Sequence, residues 1–254
     1  MNEVCSDELC VGCECEKIEQ MIRHAFWSSG MEKIVIGLSG GIDSSLAAVL
    51  CSRAVGSVNV LGYLLPSSVT PEADMDDVKA LCDKFEISYL VVPITGILEE
   101  YESIPGYTES PYLKGNLMAR IRMTTLYYFA NQQNALVCGT SNKSEYYLGY
   151  STKHGDDAAD IQPLLHLLKK EVYILAGYLE VPDSIINKTP SAGLYPGQSD
   201  EEEIGFSYEE IDKALENLIS NGFKPENETE AEILKKVEKA SHKRCAPPNL
   251  LKEN

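Results

Sequence analysis

Apolar residues recur with a helical period over 14–29. Ile18, Met21, Ile22, Ala25 and Phe26 fall at i, i+3, i+4, i+7 and i+8, and Gly30 supplies the stop. Residues 33–38 are instead a short unbroken apolar run, the pattern of a strand covered on both faces, and 44–55 return to a helical pattern. "VNVLGYLL" (58–65) predicts a second strand. Thr70 then stands as a helix cap before Pro71 at the first helical position, with Val78, Leu81, Cys82 and Phe85 as the inner face. "SYLVVPI" (88–94) predicts a third strand, the Pro, Gly and Ser of 102–116 a loop, 115–132 a helix, and "ALVCGT" (135–140) a fourth strand. Leu168, Val172, Leu175 and Leu179 mark a helix that stops before Pro182, and 183–206 has no period. Ser207 with Glu210, and Thr229 with Glu232, have the spacing of capping boxes opening two late helices, the last ended by "APPNL".

Strands alternating with helices predict an α/β fold: a doubly wound, mainly parallel sheet with helices on both faces, followed by a helical C-terminal extension. The chain shows no repeat and no linker, so one domain is expected over 17–254, with 1–16 a cysteine-rich N-terminal tail. Ligands of such sheets sit at the carboxyl ends of the strands. The turn at 38–44 and the turn after Thr140 both lie at such ends.

Composition narrows this picture in three ways. The 254 residues allow one large core, and 44% hydrophobic with 24% charged is ordinary globular usage. The net charge of −17 repels phosphate backbones, so no nucleic-acid partner is expected. There is no apolar run long enough to span a membrane, and "MNEVCSDELC" is too acidic for a signal peptide, so a cytoplasmic protein with reduced thiols is expected.

The chemistry is concentrated in "IVIGLSGGIDSSLAAVL" (34–50). A strand, a Ser-Gly-Gly turn and a helix N-terminus make an anion site, because free N–H groups and the helix dipole favour phosphate. Gly40 and Gly41 let the backbone turn and approach a ligand, and Ser39 and Ser44 add hydroxyls. Neither GxxxxGK[ST] nor GxGxxG is present. A carboxylate beside bound phosphate is repulsive unless a cation lies between them, so Asp43 suggests a Mg²⁺ ligand; the alternative is an ordinary first-turn acid.

SGGIDSS resembles the pyrophosphate loop of the N-type ATP pyrophosphatases, a group holding NAD, GMP and asparagine synthetases and tRNA-thiolating enzymes. Further along, "LKGNLMARIRM" (113–123), "GTSNKSEYYLGYSTKHGDDAADIQPL" (139–164), "LLKKEV" (167–172), "PSAGLYPGQSDEEEIGFSYEEID" (190–212) and "SHKR" (241–244) follow in order. This succession resembles the ammonia-dependent NAD synthetases from about residue 17 onward. The resemblance implies an adenine nucleotide alpha hydrolase-like fold. It also implies a ligase that adenylates the nicotinate carboxylate of deamido-NAD with ATP, releasing pyrophosphate, and then amidates it with ammonia, releasing AMP. Glutamine-dependent members carry an extra amidase domain, for which 254 residues leave no room. A tRNA-thiolating ATP pyrophosphatase is the rival reading.

The resemblance also implies roles. Gly37, Leu38, Ser39, Gly40, Gly41, Ile42, Asp43 and Ser44 would hold the ATP phosphates, with Thr140, Lys169 and Ser191, the last in place of a threonine. Asp43 and Glu145 would bind Mg²⁺. Arg120, Lys153, Asp160, His242 and Lys243 would contact deamido-NAD. Asp156 would stand near ammonia and the reacting carboxyl, so Asp156 and Lys169 are the catalytic candidates. Each has a plainer reading: Glu145 a solvated helix acid, Arg120 a surface ion pair, Lys169 an exposed first-turn lysine, "GDDAAD" an acidic loop, His242 and Lys243 helix C-terminal cations. Arg122 is a neighbour to be confused with Arg120, and Lys170 with Lys169. The resemblance further implies a homodimer paired through 115–132 and the late helices. The long acidic, glycine-rich stretch 191–206 suggests a lid over ATP.

Cys5, Cys10, Cys13 and Cys15 depart from the family pattern. Cys5-x₄-Cys10-x₂-Cys13 has an iron–sulfur spacing, CxxC and CxC also suit zinc or a redox pair, and a reduced tail needs no ligand. Cys51, Cys82 and Cys138 read as core filler.

Overall fold

A computed structural model describes residues 10–195 and 197–250. The elements run α1 (Val11–Ser29), β1 (Lys33–Gly37), α2 (Ile42–Val55), β2 (Val60–Leu64), α3 (Glu72–Lys84), β3 (Ser88–Val91), α4 (Thr95–Glu102), α5 (Pro111–Gln133), β4 (Ala135–Cys138), α6 (Lys143–Leu148), α7 (Lys169–Tyr178), α8 (Asp183–Ile186), α9 (Asp200–Ile204), α10 (Tyr208–Ser220) and α11 (Glu228–Lys239). Short 3₁₀ turns cover Ser57–Asn59 and Ser241–Lys243. The four strands are parallel in the order β3-β2-β1-β4, with Ile34 opposite Val60 and Leu136. The sheet is doubly wound, as the alternation of elements predicts. Ile34 and Ile36 face a core shared with α1, α2, α3 and α7, while Val35 faces a second core with α4 and α5. A third cluster joins α6, α9, α10 and α11 into the helical extension. The chain leaves β1 towards β2 and β3, then returns to β1's other side as β4. The crevice of a parallel sheet opens at such a reversal.

Several expected boundaries move. α3 starts at Glu72 with Pro71 as its cap residue; the Thr70 hydroxyl instead accepts from the Ser67 N–H at 3.0 Å, closing the preceding turn. The loop expected over 102–116 is shorter, because Ser110 caps α5 and Pro111 takes its first position, where a missing N–H costs nothing. α4, α8 and α9 have no period long enough to read from sequence. Ser207 and Glu210 form the expected capping box. Thr229 and Glu232 do not: Asn227 caps α11 by accepting from the Glu230 N–H, which leaves Thr229 inside the first turn. α11 ends at Lys239 rather than at "APPNL", since Arg244 turns back to donate to the carbonyls of Val237 and Tyr147, both at 2.7 Å.

α1 begins at Val11, inside the stretch expected as a tail, and Cys15 is already core. Cys10 and Cys13 are paired as a disulfide, a correction to the expected reduced thiols. The start of α1 puts these i, i+3 positions side by side, with Cα atoms 5.3 Å apart. Cys5 lies outside the described residues, and among the described ones no three His, Cys, Asp or Glu side chains converge as a metal site. Cys51, Cys82 and Cys138 are buried core residues, as expected. Among the described residues no helix is long and apolar enough to cross a membrane.

Tyr63 on β2 is fully buried and stacks on Phe129, with ring centroids 4.7 Å apart, yet its hydroxyl has no hydrogen-bond partner among the described residues. An unsatisfied buried hydroxyl is a net cost. Tyr63→Phe keeps the stack and removes that cost, so it should stabilise the fold by about 1 kcal/mol and raise the thermal midpoint by about 2–4 °C. A lower midpoint in a thermal melt would refute the assignment.

Candidate active site

The phosphate-type loop lies where the sequence places it, between the end of β1 and α2. Gly41 precedes the first turn of α2 in an extended conformation, so the first N–H groups of this 14-residue helix point outward without a side-chain cap. Ser39 and Ser44 lock the loop. Their hydroxyl oxygens are 3.1 Å apart, Ser39 Oγ accepts from the Gly41 N–H, and Ser44 Oγ donates to the Gly41 carbonyl. Gly40 has φ +79°, and a Cβ there would come within 2.9 Å of Asp74 Cβ and O, so conformation and space both require glycine. Lys188 closes the outer edge, donating to the Gly40 carbonyl at 3.0 Å and pairing with Asp74 and Asp77.

Residues 37–44 all line one cleft of about 1290 Å³ at the carboxyl ends of β1 and β4. Thr140, Glu145, Asp156, Lys169, Ser191 and Lys243 line the same cleft. Three helices deliver its charged centre. Asp43 sits in the first turn of α2, Glu145 in that of α6 and Lys169 in that of α7. Lys169 is no exposed lysine: its side chain is 2% exposed, with Nζ 2.6 Å from Asp43, 3.5 Å from Glu145 and 5.0 Å from the centre of the Tyr208 ring. The exposed first-turn lysine is Lys170, whose Nζ pairs with Glu216 at 2.7 Å. Burial alone would lower Lys169, but the two carboxylates outweigh it and hold the ammonium well above the ordinary lysine range. Burial, then the facing Asp43 carboxylate, push Glu145 up to about 8 despite Lys169.

Sequence reading missed the scaffold of this trio. Asn142, fully buried, donates to Asp43 Oδ1 at 2.8 Å, while its side-chain oxygen and its N–H form a capping box with Glu145. Asp212 on α10 accepts from Ser144 Oγ and from the Lys170 N–H, and Ser144 Oγ accepts from the Lys169 N–H at 3.0 Å. One buried carboxylate thus fixes the starts of α6 and α7 together. The N-x-x-E box at 142–145 was visible in the sequence; the Asp212 contact, across 68 residues, was not.

Asp156 lines the cleft. It faces open space, but protein crowds it on most sides; that desolvation raises its carboxyl, opposed by the Thr152 N–H donating at 2.8 Å. Arg120, Lys153 and His242 form an outer chain away from the cleft wall. Arg120 is exposed and donates to the Lys153 carbonyl at 3.1 and 3.3 Å, and Lys153 Nζ donates to the His242 carbonyl at 2.7 Å. Lys243 joins this rim to the cleft through the carbonyls of Gly149 and Ser151. Asp160 is set apart, with its carboxylate accepting from the Val137 N–H of β4 and from Tyr127. The structure therefore gathers the ATP and metal candidates, places three dinucleotide candidates side by side on the rim, and gives Asp160 a sheet-capping partner.

Residues 191–195, Gly197 and Gln198 line the same cleft, and Glu203 ties two of them, Tyr195 and Gln198, in place. Its carboxylate accepts from Tyr150 at 2.5 Å, Tyr195 at 2.7 Å and Gln198 at 2.8 Å, and Tyr150 also lies 3.0 Å from Asp200.

The donor set suits a hard divalent ion. Two carboxylates converge from two helices beside an anion cradle, and burial together with the facing Asp43 raises Glu145, a repulsion that added positive charge relieves. Mg²⁺ takes one or two protein carboxylates and completes its shell with phosphate and water oxygens.

Comparison with known proteins agrees with this geometry. Residues 14–247 match the family model for NAD synthase. The chain is 53% identical over 241 residues to an NH(3)-dependent NAD(+) synthetase of Methanoregula boonei, covering 95% of this chain and 97% of that one. An NH3-dependent NAD synthetase structure from Campylobacter jejuni is similar at 34% identity and TM-score 0.82, covering 96% of this chain and all of that one. A structure of an NMN synthetase from Francisella tularensis is similar at 36% identity and TM-score 0.87, with the same coverage.

Proposed function

This chain belongs to the NAD synthase family, and from that premise we propose how its cleft divides the work of ammonia-dependent NAD synthesis. The tRNA-modifying alternative is not favoured, because the likeness to the NAD synthetases runs along nearly the whole chain. The observation that carries the reading is the meeting of Asp43, Glu145 and Lys169 beside the 37–44 cradle, with Asp156 in the same cleft.

The β- and γ-phosphates of ATP lie on the 37–44 loop and the start of α2. Asp43 and Glu145 would hold Mg²⁺, which would supply positive charge against the pyrophosphate group. Lys169 supplies a fixed positive charge at the same place, and Thr140 and Ser191 offer hydroxyls. Arg120, Lys153, His242 and Lys243 hold deamido-NAD at the rim, and Asp160, set apart from them beside Val137 and Tyr127, is the remaining contact. Its nicotinate carboxylate oxygen attacks the α-phosphorus, and the bond to pyrophosphate breaks. Ammonia then attacks the acyl carbon, and AMP leaves with the bonding electrons. Asp156 orients the ammonia nitrogen and takes up the proton it loses.

Two further readings complete the picture. The 191–206 segment is a lid that orders over ATP; limited proteolysis should cut it more slowly with both substrates present, and equal rates would sink the idea. The enzyme is a cytoplasmic homodimer paired in part through α5, which exposes Tyr112, Leu113 and Tyr128. A monomeric mass in solution would refute the dimer.

The function itself is tested by mixing the protein with Mg-ATP, deamido-NAD and ammonium and quantifying NAD, AMP and pyrophosphate. Nicotinate mononucleotide serves as a competing acceptor. Equal amounts of NAD and AMP, dependent on ammonium and formed from the dinucleotide, are expected. ATP cleavage without NAD would mean a different acceptor.

A further inference from the structure

Arg122 is a cation of the cleft wall to which the division of work above gives no role. Two residues along α5 from Arg120, it points the other way, because a two-residue step turns a helix by more than half a circle. Arg120 reaches the rim, whereas Arg122 lines the cleft together with Ala119, one turn back on the same face, and Asn116. Its Nε donates to the Leu65 carbonyl at 3.1 Å, just past the end of β2. That bond fixes the guanidinium plane. The other guanidinium N–H groups have no hydrogen-bond acceptor, and the side chain has no ion pair, among the described residues.

A half-buried guanidinium without a counter-charge is costly, and structures keep one where an anion arrives. Desolvation within the wall lowers Arg122 below the ordinary arginine range, opposed only by the more distant Asp156. Every other cation lining the cleft already has protein partners: Lys169 has two carboxylates, Lys188 has two acids and a carbonyl, and Lys243 has two carbonyls.

Resting on the adenylation reading, we propose that Arg122 is a catalytic residue that binds the α-phosphoryl group as it passes from ATP to the acyl adenylate to AMP. The β- and γ-phosphates have the α2 N-terminus, Lys169 and the metal ligands. The phosphoryl group under attack has none of these. As the carboxylate oxygen bonds to phosphorus and the bond to pyrophosphate breaks, charge gathers on the non-bridging oxygens, and a planar guanidinium can donate to two of them. The same contact then favours departure of AMP from the acyl carbon.

The test is deamido-NAD-dependent exchange of labelled pyrophosphate into ATP without ammonia, which reports adenylation alone. Wild-type exchange establishes the adenylation reading, and its absence would overturn that reading together with this assignment. Arg122→Met should lower exchange by about 10²-fold or more, the scale of losing a preorganised donor to a developing anion. Arg122→Lys should recover part of that loss. Binding of ATP alone should weaken by less than about fivefold, since the outer phosphates keep their partners. The thermal midpoint of Arg122→Met should hold or rise, because an unpaired charge is gone. Exchange within about threefold of wild type, or a loss that comes with a falling midpoint and equal loss of ATP binding, would overturn the proposal.

Discussion

Lys169→Met should cut the rate of NAD formation by about 10³-fold or more, the scale of removing a preorganised charge from a developing anion, and should also unfold at a lower temperature. Both effects follow from one ammonium. Its side chain is 2% exposed and packed between Asp43 and Glu145, with the Tyr208 ring on a further side. Its Nζ lies 2.6 Å from Asp43 but 3.5 Å from Glu145, so the tighter pair is Lys169 with Asp43. Removing one partner of a buried pair leaves the other charge without compensation, at a cost of about 3–5 kcal/mol. Asp43→Asn added to Lys169→Met should therefore restore much of the stability while the enzyme stays inactive. Thermal melts and NAD assays on the two singles and the double form the required cycle. A single mutant that keeps a tenth of the activity, or a double that melts no higher than Lys169→Met, would contradict this account.

Asp156→Asn should instead divide the reaction. NAD formation should fall by about 10²- to 10⁴-fold, the range for a lost general base, while pyrophosphate exchange into ATP stays within a few fold. Asn keeps an oxygen for the Thr152 N–H, so the loop keeps its shape, and because Asp156 faces open cleft the melting point should barely move. The sign of the pH effect follows from the raised carboxyl. A base works when ionised, so its contribution is present above the raised pKa and is lost as pH falls through it. At a fixed concentration of free ammonia, the acid limb of the wild-type profile should be absent from Asp156→Asn. An unchanged limb, or equal loss of exchange and amidation, would remove Asp156 from the ammonia step.

The parts of this molecule that could be read from sequence are those whose cause is local. Strands β1, β2 and β4 are short apolar runs, and the SGGIDSS turn carries its own reasons for serine and glycine. Boundaries failed where two signals competed: Thr229 and Asn227 both precede an acid at the right spacing, and packing chose Asn227, whose side chain donates to Glu230, which also accepts from Asn217. α4 and α9 have too few turns to show a period. At the site, the resemblance identified Asp43, Glu145 and Lys169, but no spacing in the chain shows that Asn142 ties Asp43 to Glu145 or that Asp212 holds α7. The resemblance chose Arg120 over its neighbour Arg122 as the dinucleotide contact, but only the docked helix shows that Arg122 is the one lining the cleft.

The strand order carries a consequence for how the molecule is made. β1, β2 and β3 are consecutive in the chain and adjacent in the sheet, so three of the four strands can assemble within residues 33–91. The cleft cannot. Asp43 meets Lys169 across 126 residues, Lys153 meets His242 across 89, and Gly149 meets Lys243 across 94. Contacts so distant in sequence close late. During refolding, the helical signal should therefore recover before the protein can hold ATP, and on the ribosome a nascent chain would carry a formed phosphate loop well before it had a site.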